Sequence, residues 1–143
     1  MSPQDEVNVP KRLINPASLP PPRGYNNGVL VSGGQTLFIA GQDASGPDGR
    51  IVAPGDLTAQ FEQVMRNLKA VAEQAGGAVT DIVKMTIFVA SRRDYTARLK
   101  EIGRIFRAYF GGYYPAMALF EVSGFFQADA LVEIEAIAVI GGD

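Results

Sequence analysis

The chain contains no cysteine and no histidine in 143 residues. The first absence removes disulfides, thiolate metal sites and cysteine nucleophiles together, and is compatible with a reducing cytoplasm. The second removes imidazole metal ligands, Ser/His/Asp triads and histidine general bases. Acid–base chemistry must therefore rest on Asp, Glu, Lys, Tyr or water held by the backbone. A dominant charge sign is missing as well: 13 Lys and Arg against 15 Asp and Glu leave a formal net charge of -2, which gives no general attraction to nucleic acid or to an anionic membrane. No apolar run approaches the roughly 20 residues of a membrane-spanning helix. The polar start MSPQDEVNVP has neither the basic nor the apolar segment of a secretory leader. The glycine motifs lack P-loop and dinucleotide spacing, and no basic aromatic platform offers itself to single-stranded nucleic acid. The expectation is a cytoplasmic protein with no metal, no membrane and no nucleic-acid partner.

What the chain does contain is an ordinary globular composition, 47% hydrophobic and 20% charged, enough for one domain with its own core. Residues 1–10 read as a flexible N-terminal arm and 11–143 as a single domain. Lys11 to Ile14 suits an edge strand, and the four prolines between Asn15 and Gly24 make a rigid loop that presents Tyr25 at a rim. Gly28 to Ser32 and Thr36 to Ala40 read as a hairpin closed by Gly33-Gly34, and Ile51-Val52 as a short strand. Asp56 caps an amphipathic helix carrying Leu57, Phe61, Val64, Met65 and Leu68 inward, with Gln60, Gln63, Arg66, Asn67 and Glu73 on its wet face. Asp81 to Ala90 is β-branched and apolar on both faces, as an interior strand is. A second helix capped by Asp94 ends at Phe110, with Arg104 and Arg107 on its polar side, assigned to solvent over the alternative of clamping a ligand. Ala118 to Val122 is a further strand.

The most demanding stretch is ALVEIEAIAVI, Ala130 to Ile140. Alternation puts Val132, Ile134, Ala136, Ala138 and Ile140 on one apolar face and Glu133 and Glu135 on the other, among Leu131, Ile137 and Val139. A carboxylate among apolar side chains needs a partner, a proton or a catalytic role. Lys84 is one available partner, so Glu133 reads either as a base or water anchor or as half of a structural pair. Glu135 and Glu121 read as structural. The order of elements gives an α+β domain, one mixed sheet with two helices on one face, and the uncovered sheet face predicts burial against another copy.

Asn15-Pro16, RGY at Arg23 to Tyr25, FIAGQ at Phe38 to Gln42, QVMRNLKAVAEQAGG at Gln63 to Gly77, DIVKMTIFV at Asp81 to Val89, YPAMALFEV at Tyr114 to Val122 and VEIEAIAV at Val132 to Val139 occur in one order along the chain. Together they resemble the RidA/YjgF family. The resemblance implies a chorismate-mutase-like α+β fold, a homotrimer around a barrel-like core, and small-molecule clefts between subunits. It also implies cofactor-independent hydrolysis of imines and enamines such as 2-aminoacrylate to 2-keto acids and ammonia. The family's glutamate falls on Glu133 and its tyrosine on Tyr25. Its substrate-clamping arginine falls on Met117, its serine on Ala40 and its helix asparagine on Gly103. A thioether cannot replace a bidentate guanidinium, so efficient 2-aminoacrylate turnover is not expected. The implied cleft is apolar, lined by Met117, Leu119, Ala40 and Phe125 or Phe126, with Glu133 and Tyr25 as its polar equipment, and suits a less charged or aromatic ligand. The two functions that follow are a divergent imine or enamine deaminase or related hydrolase, and a non-catalytic trimer that binds a metabolite or acts as chaperone or regulator.

Overall fold

The computed structural model describes residues 10–141; the expected N-terminal arm falls almost wholly outside them. Six strands and three helices follow in the order β1 (Lys11–Ile14), β2 (Gly28–Val31), β3 (Gln35–Gln42), α1 (Leu57–Gln74), β4 (Ile82–Val89), α2 (Arg92–Ala97), α3 (Leu99–Phe110), β5 (Ala116–Glu121) and β6 (Val132–Ile140). The main sheet has the order β3-β6-β4-β5, with β4 and β5 parallel and the other pairs antiparallel. The domain is therefore α+β with a mixed sheet, and no helix among the described residues is long and apolar enough to cross a membrane.

Alternation along β6 holds as read: Val132, Ile134, Ala136, Ala138 and Ile140 are all buried, most of them under the helices. Leu57, Phe61, Val64, Met65 and Leu68 of α1 meet that face together with Ile102, Phe106 and Phe110 of α3. Fully burying such a side chain is worth about 1.5–3 kcal/mol. Helix α1 starts where Asp56 accepts a hydrogen bond from the Ala59 amide at 3.0 Å, and it stops at Gly76, whose φ of 91° few other residues adopt.

Four expectations are corrected. The second helix is two helices, because Arg98 leaves helical geometry (φ -111°, ψ 19°), and the cap is Ser91, whose hydroxyl accepts from the Asp94 amide. The apolar positions Tyr95, Ile102, Phe106 and Phe110 stay helically spaced across the break, so periodicity does not reveal it. The glycine turn is present, with Gly33 and Gly34 both at φ 73°, but it joins two sheets rather than closing a hairpin. Strand β2 pairs with β1 in a separate ladder, and Val29 and Val31 fold over Val83 and Val139 at one end of the outer sheet face. Ile51 makes only an isolated bridge to Ser45 rather than a strand.

Lastly, Gln60 is not wet but fully buried. Its amide nitrogen donates to the Ala53 and Asp129 carbonyls, and its oxygen accepts from the Leu131 amide at 2.8 Å. It ties α1 to the start of β6. Gln60→Leu should lower unfolding free energy by about 2–3 kcal/mol in urea titration, since it strands backbone groups in a dry interior.

Candidate functional site

A cavity of about 570 Å³ opens beside the β5 edge of the sheet. Its position follows from an asparagine cluster. Asn15 Oδ1 accepts from the Asn27 backbone and side-chain amides, and Asn15 Nδ2 donates to Asn26 Oδ1. Asn26 Nδ2 in turn donates to the Tyr114 carbonyl at 2.7 Å, and the Asn26 amide to the Pro115 carbonyl. The proline-rich loop is thereby pinned to the start of β5, which sets Arg23, Gly24 and Tyr25 over the cavity.

Phe106 of α3 stacks on Tyr114 with ring centroids 5.4 Å apart and on Phe110 at 4.3 Å, giving the cavity an aromatic side. Met117 and Leu119 line the sheet side, opposite Met85 and Ile87 in the β4 register. Tyr95 packs edge-on against Phe61, and burial pushes its hydroxyl up to about 12, so it acts as a neutral hydrogen-bonding group and not as a base. Gly103 and Arg107 supply the α3 side. Among the described residues, no acidic side chain lines this cavity.

The second locus lies on the outer sheet face. Between Ile39, opposite Ala136, and Gln42, opposite Ile134, strand β3 carries an extra residue, so Ala40 and Gly41 stand against Glu135 alone. At this bulge the Glu133 carboxylate lies against Gly41, and a Cβ there would overlap it. Among the described residues Glu133 has no ion-pair partner: Lys84 sits opposite Ile137 in the register, while Phe88 faces Glu133 and Thr86 faces Glu135. The Glu133 carboxyl is held above the usual glutamate value by burial first, then by the charges of Asp43 and Glu135. Asp43 belongs to a turn whose carbonyls, with that of Ser45, accept from Asn67 Nδ2 of α1 at 3.0 Å. Elsewhere on this face Phe38 is 75% exposed, and Phe120, 53% exposed, stacks on Phe88.

The chain matches the family described as Endoribonuclease L-PSP over residues 16–140. It is 35% identical over 129 residues to a RutC family protein of Pyrococcus abyssi, covering 90% of this chain and 96% of that one. It is 30% identical over 135 residues to the 2-iminobutanoate/2-iminopropanoate deaminase of Rattus norvegicus, covering 94% and 93%. Among solved structures, the Rid-family protein YyfB of Yersinia pestis matches with a TM-score of 0.80 at 36% identity, covering 90% and 98%. The YjgF gene product of E. coli matches at 0.64 and 35% identity, covering 80% and 87%. The chain belongs to the RidA/YjgF family.

Within one RidA/YjgF chain, the six positions singled out from the sequence divide between the two loci. Tyr25, Gly103, Met117 and Leu119 line the cavity. Ala40 and Glu133 lie on the outer face, away from it. Phe126 is fully exposed, and neither it nor Phe125 lines the cavity. Sequence reasoning missed the aromatic side, Tyr95, Phe106 and Tyr114; Arg107 is exposed, as expected, and borders the cavity from α3. Sequence reasoning also left Arg23 without a role beside Tyr25. Its place in the RGY motif beside Tyr25 was the available signal for Arg23, and helical spacing from Gly103 was the signal for Arg107's place at the cavity wall.

A raised carboxyl value means that deprotonation costs the folded state more than the unfolded one. The contribution of Glu133 to stability is thus fullest below the ordinary glutamate range and is lost as pH rises through its raised value. Glu133→Gln should raise the thermal midpoint at neutral pH, with the gain vanishing below about pH 4. A midpoint difference independent of pH would contradict a desolvated Glu133.

Proposed function

We propose that this protein is a cofactor-independent imine or enamine hydrolase that works as a homotrimer on a substrate with a larger, more apolar body than 2-aminoacrylate. The supporting observation is the division of the site. Tyr25 and the aromatic cavity lie on the helix side of the sheet, whereas the desolvated Glu133 lies on the bare face, where a neighbouring copy would pack. A second copy would bring Glu133 of one chain to the cavity of the next.

In that arrangement Glu133 takes a proton from water as the water oxygen bonds to the imine carbon. The proton passes to nitrogen to give the carbinolamine; its hydroxyl proton then moves by way of Glu133 to the amine, the C–N bond breaks as the C=O bond forms, and ammonia leaves a carbonyl product. A carboxyl value raised by burial strengthens such a base. Met117 presents a thioether on the sheet side, which accommodates apolar surface and forms no ion pair. A metabolite-binding trimer without catalysis is the second reading, favoured by the bare or apolar residues at 40, 103 and 117.

Unstable imines generated in situ from neutral, aromatic and acidic amino acids separate the two. At least one should be hydrolysed faster with protein present, and Glu133→Gln should lose on the order of 100-fold of that acceleration. If the wild type outruns Glu133→Gln on none of them, the hydrolase reading fails. Met117→Arg should raise turnover of 2-aminoacrylate, and sedimentation should give a trimer, with a stable monomer excluding the shared site.

A further inference from the structure

Helix α3 carries a glycine in its interior, where alanine would favour the helix more. Gly103 is followed one turn later by Arg107, and the guanidinium occupies the space that a side chain at 103 would take. A Cβ built on Gly103 would stand 3.1 Å from Arg107 Nη1, 3.9 Å from Cζ and 4.0 Å from Nη2. The head group therefore lies beside Gly103 at the cavity wall, with Arg107 still exposed to solvent. The ion pairs among the described residues, Arg66 with Glu62 and Arg98 with Asp94, leave Arg107 without a carboxylate. Arg23 reaches the same cavity from the pinned loop, and it too has no carboxylate partner there.

Two guanidinium groups thus border a cavity that no acidic side chain among the described residues lines, beside the stacked rings of Phe106 and Tyr114. We propose that Arg107, seated on bare Gly103 and assisted by Arg23, is an anion anchor that makes this cavity selective for a carboxylate carried on an aromatic or branched apolar body. The anchor belongs to α3 and the Arg23–Tyr25 loop, not to β5, where Met117 stands. An anion held there leaves the space between Phe106 and Met117 to an apolar group. A three-carbon acid fills that space poorly. Calling the bound molecule a substrate rests on the hydrolase reading; the binding preference does not.

The test uses the full-length protein in its native oligomeric state, titrated calorimetrically with phenylpyruvate, with the corresponding neutral amide and with pyruvate. Phenylpyruvate should bind at least about ten-fold more tightly than either, the discrimination expected of charge-assisted hydrogen bonds. Arg107→Met should remove most of the preference for the acid over the amide, with Arg107→Lys retaining part of it. Arg104→Met, on the same helix but outside the cavity, should leave it unchanged. Gly103→Ala separates binding from folding: it should raise the thermal midpoint while weakening phenylpyruvate binding, because the guanidinium is pushed off its seat. Equal affinity for acid and amide in the wild type, or an unchanged preference in Arg107→Met, would overturn the anchor. Loss of the preference in Arg107→Met without hydrolysis of any imine would uphold the anchor and sink the hydrolase reading. Hydrolysis of the phenylalanine-derived imine with an unaltered KM in Arg107→Met would do the reverse.

Discussion

One layer of helices covers one face of a sheet whose interior strands, β6 and β4, are apolar on that face and carry Glu133, Glu135, Lys84 and Thr86 on the other. Strand β6 lies between β3 and β4, and its Val132, Ile134, Ala136, Ala138 and Ile140 are spent on the helix side. A slip of one residue would bury Glu133 and Glu135 and expose five apolar side chains, so the register is locked from both directions. The same locking forces Glu133, Glu135 and Ile137 onto the outer face, where the β1–β2 ladder covers only the end containing Val83 and Val139. A half-desolvated carboxylate and an exposed Phe38 are consequences of this one-sided arrangement.

The sheet also separates the residues that would have to act together. Opposite faces of a sheet do not meet within one chain, and the Glu133 carboxylate lies against Gly41 of the β3 bulge on the outer face. Chemistry that couples Glu133 to the Tyr25 cavity therefore requires a second copy. The apolar outer face is the surface on which such a copy would settle.

Much of this was legible from the sequence because alternation and helical period are local. The two faces of β6, the inward face of α1, its Asp56 cap and its glycine stop are each decided by neighbours within a few residues. What escaped depended on distant partners. Gln60 occupies a wet-looking position on α1, yet three backbone groups, from Ala53, Asp129 and Leu131, converge on it. Gly33-Gly34 specifies a turn but not which strands pair after it, and β3 takes β6 because that ladder is longer. Lys84 looked like a partner for a glutamate because sequence cannot supply the β4–β6 register, which gives it Ile137. Arg107 is exposed, as its place on the polar side of α3 implies, but sequence could not show that the loop pinned through Asn15 and Asn26 makes that side of α3 a cavity wall.

The residues at 103, 107 and 117 make sense as a set. An arginine at 117 would project from the sheet beside Met85 and Leu119, where few protein groups could satisfy its five donors if the cavity were empty. Arg107 avoids that cost, since its guanidinium rests on an exposed helix surface and keeps water on its outer side. The penalty moves to Gly103, whose missing side chain loosens α3 slightly but leaves the head group close to the wall. Methionine at 117 can then pack against whatever apolar group enters. Moving the cation from strand to helix thus exchanges a deep, ligand-dependent charge for a shallow one that water satisfies in the free protein, and it enlarges the space left for the ligand's body.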